Sequence, residues 1–240
     1  MEVVPYKNTT KGKKEQVAEM FNNISRKYDF LNHFLSLGID VYWRKKAIGM
    51  LSKSKPGRIL DIATGTGDFA LMALRLHPKE VIGIDISDGM LEVGKEKILK
   101  KGLEHVIRLE KGDSENIHFE DNSFDASIVA FGVRNFENLE KGLKEIHRVL
   151  RPGAMFIVLE FSKPRIFPFK QIYAFYFKYI LPKIGNSISK DTAAYSYLPE
   201  SVRAFPDGNE FIEKLKEAGF KNTTWKPLTF GISSIYTGQK

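Results

Sequence analysis

The chain of 240 residues contains no cysteine. That excludes a disulfide framework, thiolate metal sites and thiol catalysis, and it fits a reducing compartment. Long apolar runs are missing as well. No stretch approaches the roughly 18 uncharged apolar residues of a spanning helix, and residues 1–14 lack the apolar core of a signal peptide. The expectation is a soluble or at most peripheral protein of the cytoplasm, with any membrane contact at the inner face. Histidines are few and scattered, at His33, His77, His105, His118 and His147, without metal-ligand spacing, so no metal is expected. Acidic residues vanish between 163 and 190, where Lys163, Arg165, Lys170, Lys178, Lys183 and Lys190 carry all the charge.

What is present points to one α/β domain. A chain of this length that is 42% hydrophobic can bury one substantial core. Its net charge of +8 suits an acidic partner, nucleic acid or an anionic membrane surface, or no more than a solvated basic face. No RNA-binding motif accompanies the charge, which counts against nucleic acid.

Val17, Met20, Phe21, Ile24, Tyr28 and Leu31 recur at helical spacing over residues 12–33, and a second helix is expected from Asp40 to Leu51. Pro56-Gly57 closes this N-terminal cap of residues 1–55. Strands and helices then alternate over 58–162, the pattern of βαβ units with helices on both faces of a sheet. Helix starts are read at Asp68 and at Ser87-Asp88. Residues 163–200 read as an insertion, an aromatic helix from Ile166 to Ile180 followed by a polar stretch, Gly185 to Pro199. A helix over Asn209–Ala218 and two strands, Lys221–Leu228 and Ile232–Thr237, complete the chain as an antiparallel pair on the sheet edge.

The most informative segment is Asp61-Ile62-Ala63-Thr64-Gly65-Thr66-Gly67-Asp68. Gly65 and Gly67 allow a sharp turn after a strand and a close approach of backbone N–H groups to a ligand. Asp85 ends the next strand, where a carboxylate can accept hydrogen bonds from a ribose diol. The same residues satisfy a permissive dinucleotide fingerprint, so the loop alone leaves a nicotinamide cofactor open. Asp61 argues for a cationic ligand, because a carboxylate beside the loop repels a pyrophosphate. Asp113-Ser114, after the third strand, is placed to read an adenine amino group.

Three further segments give the chain its resemblance. Residues 28–44, from Tyr28-Asp29-Phe30 to Tyr42-Trp43-Arg44, are similar to the N-terminal signature of the demethylmenaquinone methyltransferase family, the C-methyltransferases of menaquinone and ubiquinone biosynthesis. Phe131-Gly132-Val133-Arg134-Asn135 resembles the element after that family's fourth strand, and Arg148 through Ser162 resembles its second signature. Two positions depart from the pattern: Asp40 stands where the family usually has His, and Ala154 where it has a second Gly.

The resemblance implies a class I methyltransferase fold, a Rossmann-like and mostly parallel sheet with an antiparallel C-terminal strand. It implies S-adenosylmethionine as cofactor, held by Asp61, Gly65, Thr66, Gly67, Asp85, Asp113, Ser114 and Ala130. The substrate implied is a polyprenylated naphthoquinol, with a benzoquinol or another small molecule or lipid as alternatives. Arg134 and Asn135 are the expected catalytic pair. Tyr28, His33, Asp40 and Tyr195 are expected at the substrate, with Tyr197 as a further pocket residue. The aromatic and basic stretch 163–190 is expected either at a membrane interface or packed against the core or a second copy in a homodimer.

Overall fold

The computed structural model describes residues 3–36, 38–180 and 193–240; the side chains of Leu31, Asn32, Phe34, Leu35, Lys178 and Tyr195 lie outside that description. Two helices come first, α1 (Lys13–Leu35) and α2 (Ile39–Gly49). The alternating part follows: β1 (Arg58–Ile62), α3 (Asp68–Ala73), β2 (Glu80–Asp85), α4 (Asp88–Lys100), β3 (Ile107–Lys111), β4 (Phe124–Ala130), α5 (Leu139–Val149) and β5 (Leu150–Phe161). Then come α6 (Phe169–Phe175), α7 (Ala193–Ala204), α8 (Asn209–Glu217), β6 (Lys221–Leu228) and β7 (Ser233–Gln239).

The seven strands lie in the order β3-β2-β1-β4-β5-β7-β6. Pairing is parallel from β3 to β5, and β7 runs antiparallel to both of its neighbours. The C-terminal strands therefore do form an antiparallel pair, but β7 is enclosed between β5 and β6 rather than left at the edge. Its burial shows why, since Ser233 through Gly238 are all buried. The central strands β1 and β2 are buried on both faces, which explains the apolar runs Ile59-Leu60 and Val81-Ile82-Gly83-Ile84 within them.

Helix ends follow local chemistry in two of three cases. Ser87 accepts a hydrogen bond from Met90 N at 3.2 Å and caps α4, and Asn138 does the same for α5 through Lys141 N. Asp68 is not a cap: Gly67 occupies that position in a left-handed conformation, and Asp68 opens the first turn. The polar stretch expected over Gly185–Pro199 is helical from Ala193 onwards, with Pro199 inside the helix; its first part lies outside the described residues.

Sheet order reverses between β1 and β4, so the crevice for a ligand opens at the carboxyl ends of those two strands. Two non-glycine residues with positive φ mark this point, Ala63 at 53° and Phe131 at 60°. Such backbone concentrates at functional sites, where surrounding structure enforces it. Gly132 fits between them because a Cβ there would lie 2.6 Å from Ala63 Cβ.

Candidate active site

Two cavities meet at the carboxyl ends of β1 and β4. The smaller, of about 60 Å³, lies over the glycine loop and is lined by Gly65, Asp85, Asp113, Ser114, Ala130 and Asn135, among others. The larger, about 370 Å³, is mostly apolar and is walled by α1, α2, α6 and α7. Phe21, Tyr28 and Phe131 line both, so these three residues form the partition.

In the smaller cavity, Asp85 does structural work before any ligand is considered. One carboxylate oxygen accepts from Gly65 N and the other from Ser87 N, each at 2.8 Å. The residue thus ties the loop after β1 to the loop after β2. Burial raises its pKa, and the backbone donors oppose that rise. Asp113 accepts from Glu115 N at 2.9 Å and from Lys14 Nζ at 2.8 Å. Lys14 also pairs with buried Glu115 at 3.0 Å. The start of α1 is therefore clamped onto the edge where an adenine amino group is expected.

Asp61 departs from the expectation. Its side chain is fully buried and does not line the cavity; Oδ2 accepts from Thr64 Oγ1 at 2.6 Å. Asp61 thus braces the loop through Thr64, while its Oδ1 is buried without a hydrogen-bond partner. Burial pushes its carboxyl up to about 7. Because the folded pKa lies above the unfolded value of 3.8, ionising Asp61 costs stability that grows as pH rises from about 4 towards 7. The full displacement is at most about 4 kcal/mol. In urea melts, Asp61→Asn should gain on the native protein across that window and hold a constant difference above it. A difference that stays flat with pH would remove this assignment.

Thr66 and Gly67 do not line this cavity, although Gly65 beside them does. Thr66 Oγ1 is hydrogen-bonded to Asp29 and lies 3.2 Å from Lys97 Nζ. Lys97 in turn bridges Asp29 at 2.6 Å and Asp68 at 2.7 Å. Asn22 Oδ1 accepts from Ser87 Oγ and Gly89 N, each at 2.8 Å. Helix α1 is thus pinned across the loop at Lys14, Asn22 and Asp29.

The larger chamber is built on aromatic rings. Phe131 and Phe161 lie 4.5 Å apart between centroids, and Trp43 packs on both at 6.2 and 6.3 Å. Two guanidiniums flank the pair: Arg44 lies 5.4 Å from the Phe131 ring and Arg134 5.5 Å from the Phe161 ring. Arg134 is 7% exposed and holds the fully buried Glu160 at 2.8 Å, while also donating to Phe131 O. Arg44 pairs with Asp40, which accepts from Ser36 Oγ at 2.6 Å and contacts His33 Nδ1 at 3.1 Å. Burial would raise the Asp40 pKa, but Ser36, Arg44 and His33 together hold it below the ordinary value.

The structure therefore brings Arg134, Asp40 and Tyr28 to one chamber and divides the expected catalytic pair. Asn135 lines the cofactor-side cavity, with Oδ1 buried and unpartnered. His33 stands behind Asp40 and does not line the chamber. Tyr197 lines it, and the side chain of Tyr195 lies outside the described residues. Arg44, Glu160, Tyr173 and Lys14 were missed by sequence reasoning. Arg44 had a local signal in Asp40 four residues before it, whereas nothing local marks Glu160 or Lys14, whose partners Arg134 and Asp113 are distant in sequence.

The aromatic segment turns two faces. Phe169, Tyr173, Tyr176 and Phe177 line the chamber, while Ile166, Phe167, Phe175 and Tyr179 are exposed. Phe230 stacks on Phe169 at 3.7 Å and is itself exposed. Among the described residues, no helix is long and apolar enough to cross a membrane and no cluster could hold a metal ion.

The sequence model described as the ubiE/COQ5 methyltransferase family matches residues 9–240. A demethylmenaquinone methyltransferase of Bacteroides fragilis is 48% identical over 239 residues, covering 99% of this chain and 97% of its own length. A ubiquinone/menaquinone biosynthesis C-methyltransferase of Geotalea daltonii is 46% identical, covering 98% of this chain and all of its own. Among solved structures, a methyltransferase from Thermotoga maritima described as a possible histamine N-methyltransferase superposes with a TM-score of 0.64. It shares 21% identity and covers 92% of this chain and 99% of its own, a likeness of fold.

Proposed function

The chain belongs to the ubiE/COQ5 methyltransferase family, and on that premise we propose that it methylates a ring carbon of demethylmenaquinol to give menaquinol. The observation that carries this reading is the junction of the two cavities. A smaller one over the glycine loop, which carries the acidic and amide groups of Asp85, Asp113 and Asn135, meets an apolar, aromatic one across Phe21, Tyr28 and Phe131. A transferable group held in the first therefore faces a flat apolar ring held in the second.

The residues of the smaller cavity fit S-adenosylmethionine. Asp85 retains acceptor capacity for a ribose diol, Asp113 and Ser114 supply an edge for an adenine amino group, and Asn135 Oδ1 is an unpartnered acceptor suited to a cationic group. Lys14, near the start of α1, borders this cavity through its pairs with Asp113 and Glu115. When bound, S-adenosylmethionine supplies an electrophilic methyl group.

The chain's own residues do the rest. The aromatic walls orient the ring and exclude water, and alignment of this kind supplies several kcal/mol. Arg134 is held rigidly by Glu160 and Phe131 O, so its positive charge is preorganised to stabilise the phenolate of the activated ring. A guanidinium is no base, so Arg134 does not take the proton itself. The exposed face of α6 with its Lys170, together with Phe230 and the nearby exposed Arg165, rests on an anionic bilayer from which the polyprenyl tail enters the chamber.

Turnover with the quinone presented in phospholipid vesicles tests both parts. Methylation is expected only after chemical reduction of demethylmenaquinone, and faster from anionic than from zwitterionic vesicles. Tight S-adenosylhomocysteine binding without turnover of naphthoquinol, but with turnover of the benzoquinol analogue, would reassign the substrate. Equal rates from both vesicle types would remove the membrane contact.

A further inference from the structure

We propose that Asp40 and His33 form the route by which the reaction's proton leaves the apolar chamber. The proposal rests on the methyl-transfer reading above. Methylation at a ring carbon releases one proton overall. The new carbon–carbon bond takes an electron pair from the activated ring, and the carbon–sulfur bond breaks with its pair left on sulfur. The ring C–H bond then breaks, its pair restores aromaticity, and H⁺ must leave. In a chamber walled by aromatic rings that proton needs a defined acceptor.

Among the described residues lining the chamber, Asp40 is the one carboxylate. The two chamber guanidiniums, of Arg44 and Arg134, have no acceptor to offer. Ser36 Oγ already donates to Asp40. Glu160 lies behind Arg134 and is fully buried, so it has no path to solvent. Asp40 is nearly as buried, but its carboxylate touches His33, with Oδ2 3.0 Å from Nδ1. The His33 side chain is 41% exposed, so the imidazole spans from a buried carboxylate to water.

The surroundings of His33 favour transit over storage. From α2 it is faced by Asp40, itself paired with Arg44; from α3 Asp68 Oδ2 lies 3.6 Å from Nε2. Lys97 of α4 pairs with Asp68 and with Asp29 of α1. A carboxylate thus stands at each ring nitrogen, one facing the chamber and one towards the surface. Asp40, held by Ser36, Arg44 and His33, is a weak base and passes a proton on rather than keeping it. An imidazole can accept a proton at one ring nitrogen and donate one from the other, so His33 can pass the proton between its two carboxylate neighbours.

The competing reading is that His33 only pins α1 to α2. Two full-length variants separate the two, His33→Ala and His33→Gln. The relay predicts S-adenosylhomocysteine affinity within twofold of the native protein by calorimetry. It predicts little change in KM for reduced demethylmenaquinone and a fall in kcat of at least tenfold. Added imidazole should restore rate to His33→Ala in a saturable manner, because the site is half open to water, and should leave His33→Gln unchanged. A kcat within twofold of native, a loss of rate that imidazole does not repair, or a loss of cofactor affinity in proportion to rate would each overturn the relay. Failure of the native protein to turn over the quinol would overturn the functional reading and the relay together. Turnover by native protein with indifferent variants would sink the relay alone.

Discussion

Arg134→Met is expected to lower kcat/KM for quinol methylation by a factor on the order of 10²–10³, the usual effect of removing a preorganised oxyanion donor. The variant should also be less stable, because Glu160 is fully buried and loses its cation. Breaking one side of a buried ion pair costs about 3–5 kcal/mol. Loss of activity could therefore be blamed on unfolding, and the double variant Arg134→Met/Glu160→Gln separates the effects. Removing the orphaned charge should recover most of the stability, whereas activity should stay low. Thermal melts and steady-state kinetics on the three proteins check this. Recovery of activity along with stability would make Arg134 a structural partner of Glu160 and nothing more.

Asp85→Ala should weaken S-adenosylhomocysteine binding by about a hundredfold or more, as read by calorimetry. Three acceptor functions go at once: those for Gly65 N, for Ser87 N and for the ribose diol. Hydrogen bonds to charged groups contribute about 1.5–3 kcal/mol each. Ser87 is fully buried, so its N–H is left without a partner, and the start of α4 loosens with it. Binding within threefold of native would show that Asp85 closes the loop without touching the cofactor.

The sheet was legible because its signals are local. Apolar runs gave β1, β2 and β4, Ser87 gave the start of α4, and Gly65 and Asp85 gave the cavity over the loop. Positions set by tertiary packing were not. Asp61 reads as a ligand carboxylate beside its glycines, and the sequence does not tell that it is fully buried and accepts from Thr64. No periodicity tells that Lys14 reaches Asp113, 99 residues away, or that Arg134 meets Glu160. The helical start at Ala193 was hidden by Pro199, which ordinarily marks a break. Segment 163–190 offered a choice between packing and exposure, and α6 does both, one face to the chamber and one to solvent.

Methyl transfer to a ring carbon, from a donor over the glycine loop to a quinol ring across Phe131, makes a carbon–carbon bond. Incubation with trideuteromethyl-labelled S-adenosylmethionine and reduced demethylmenaquinone, followed by fragmentation mass spectrometry of the extracted quinone, measures this directly. The label is expected on the naphthoquinone ring carbon, retained after reoxidation to the quinone. Label on a ring oxygen, or none in the quinone fraction while S-adenosylhomocysteine still binds, would contradict it.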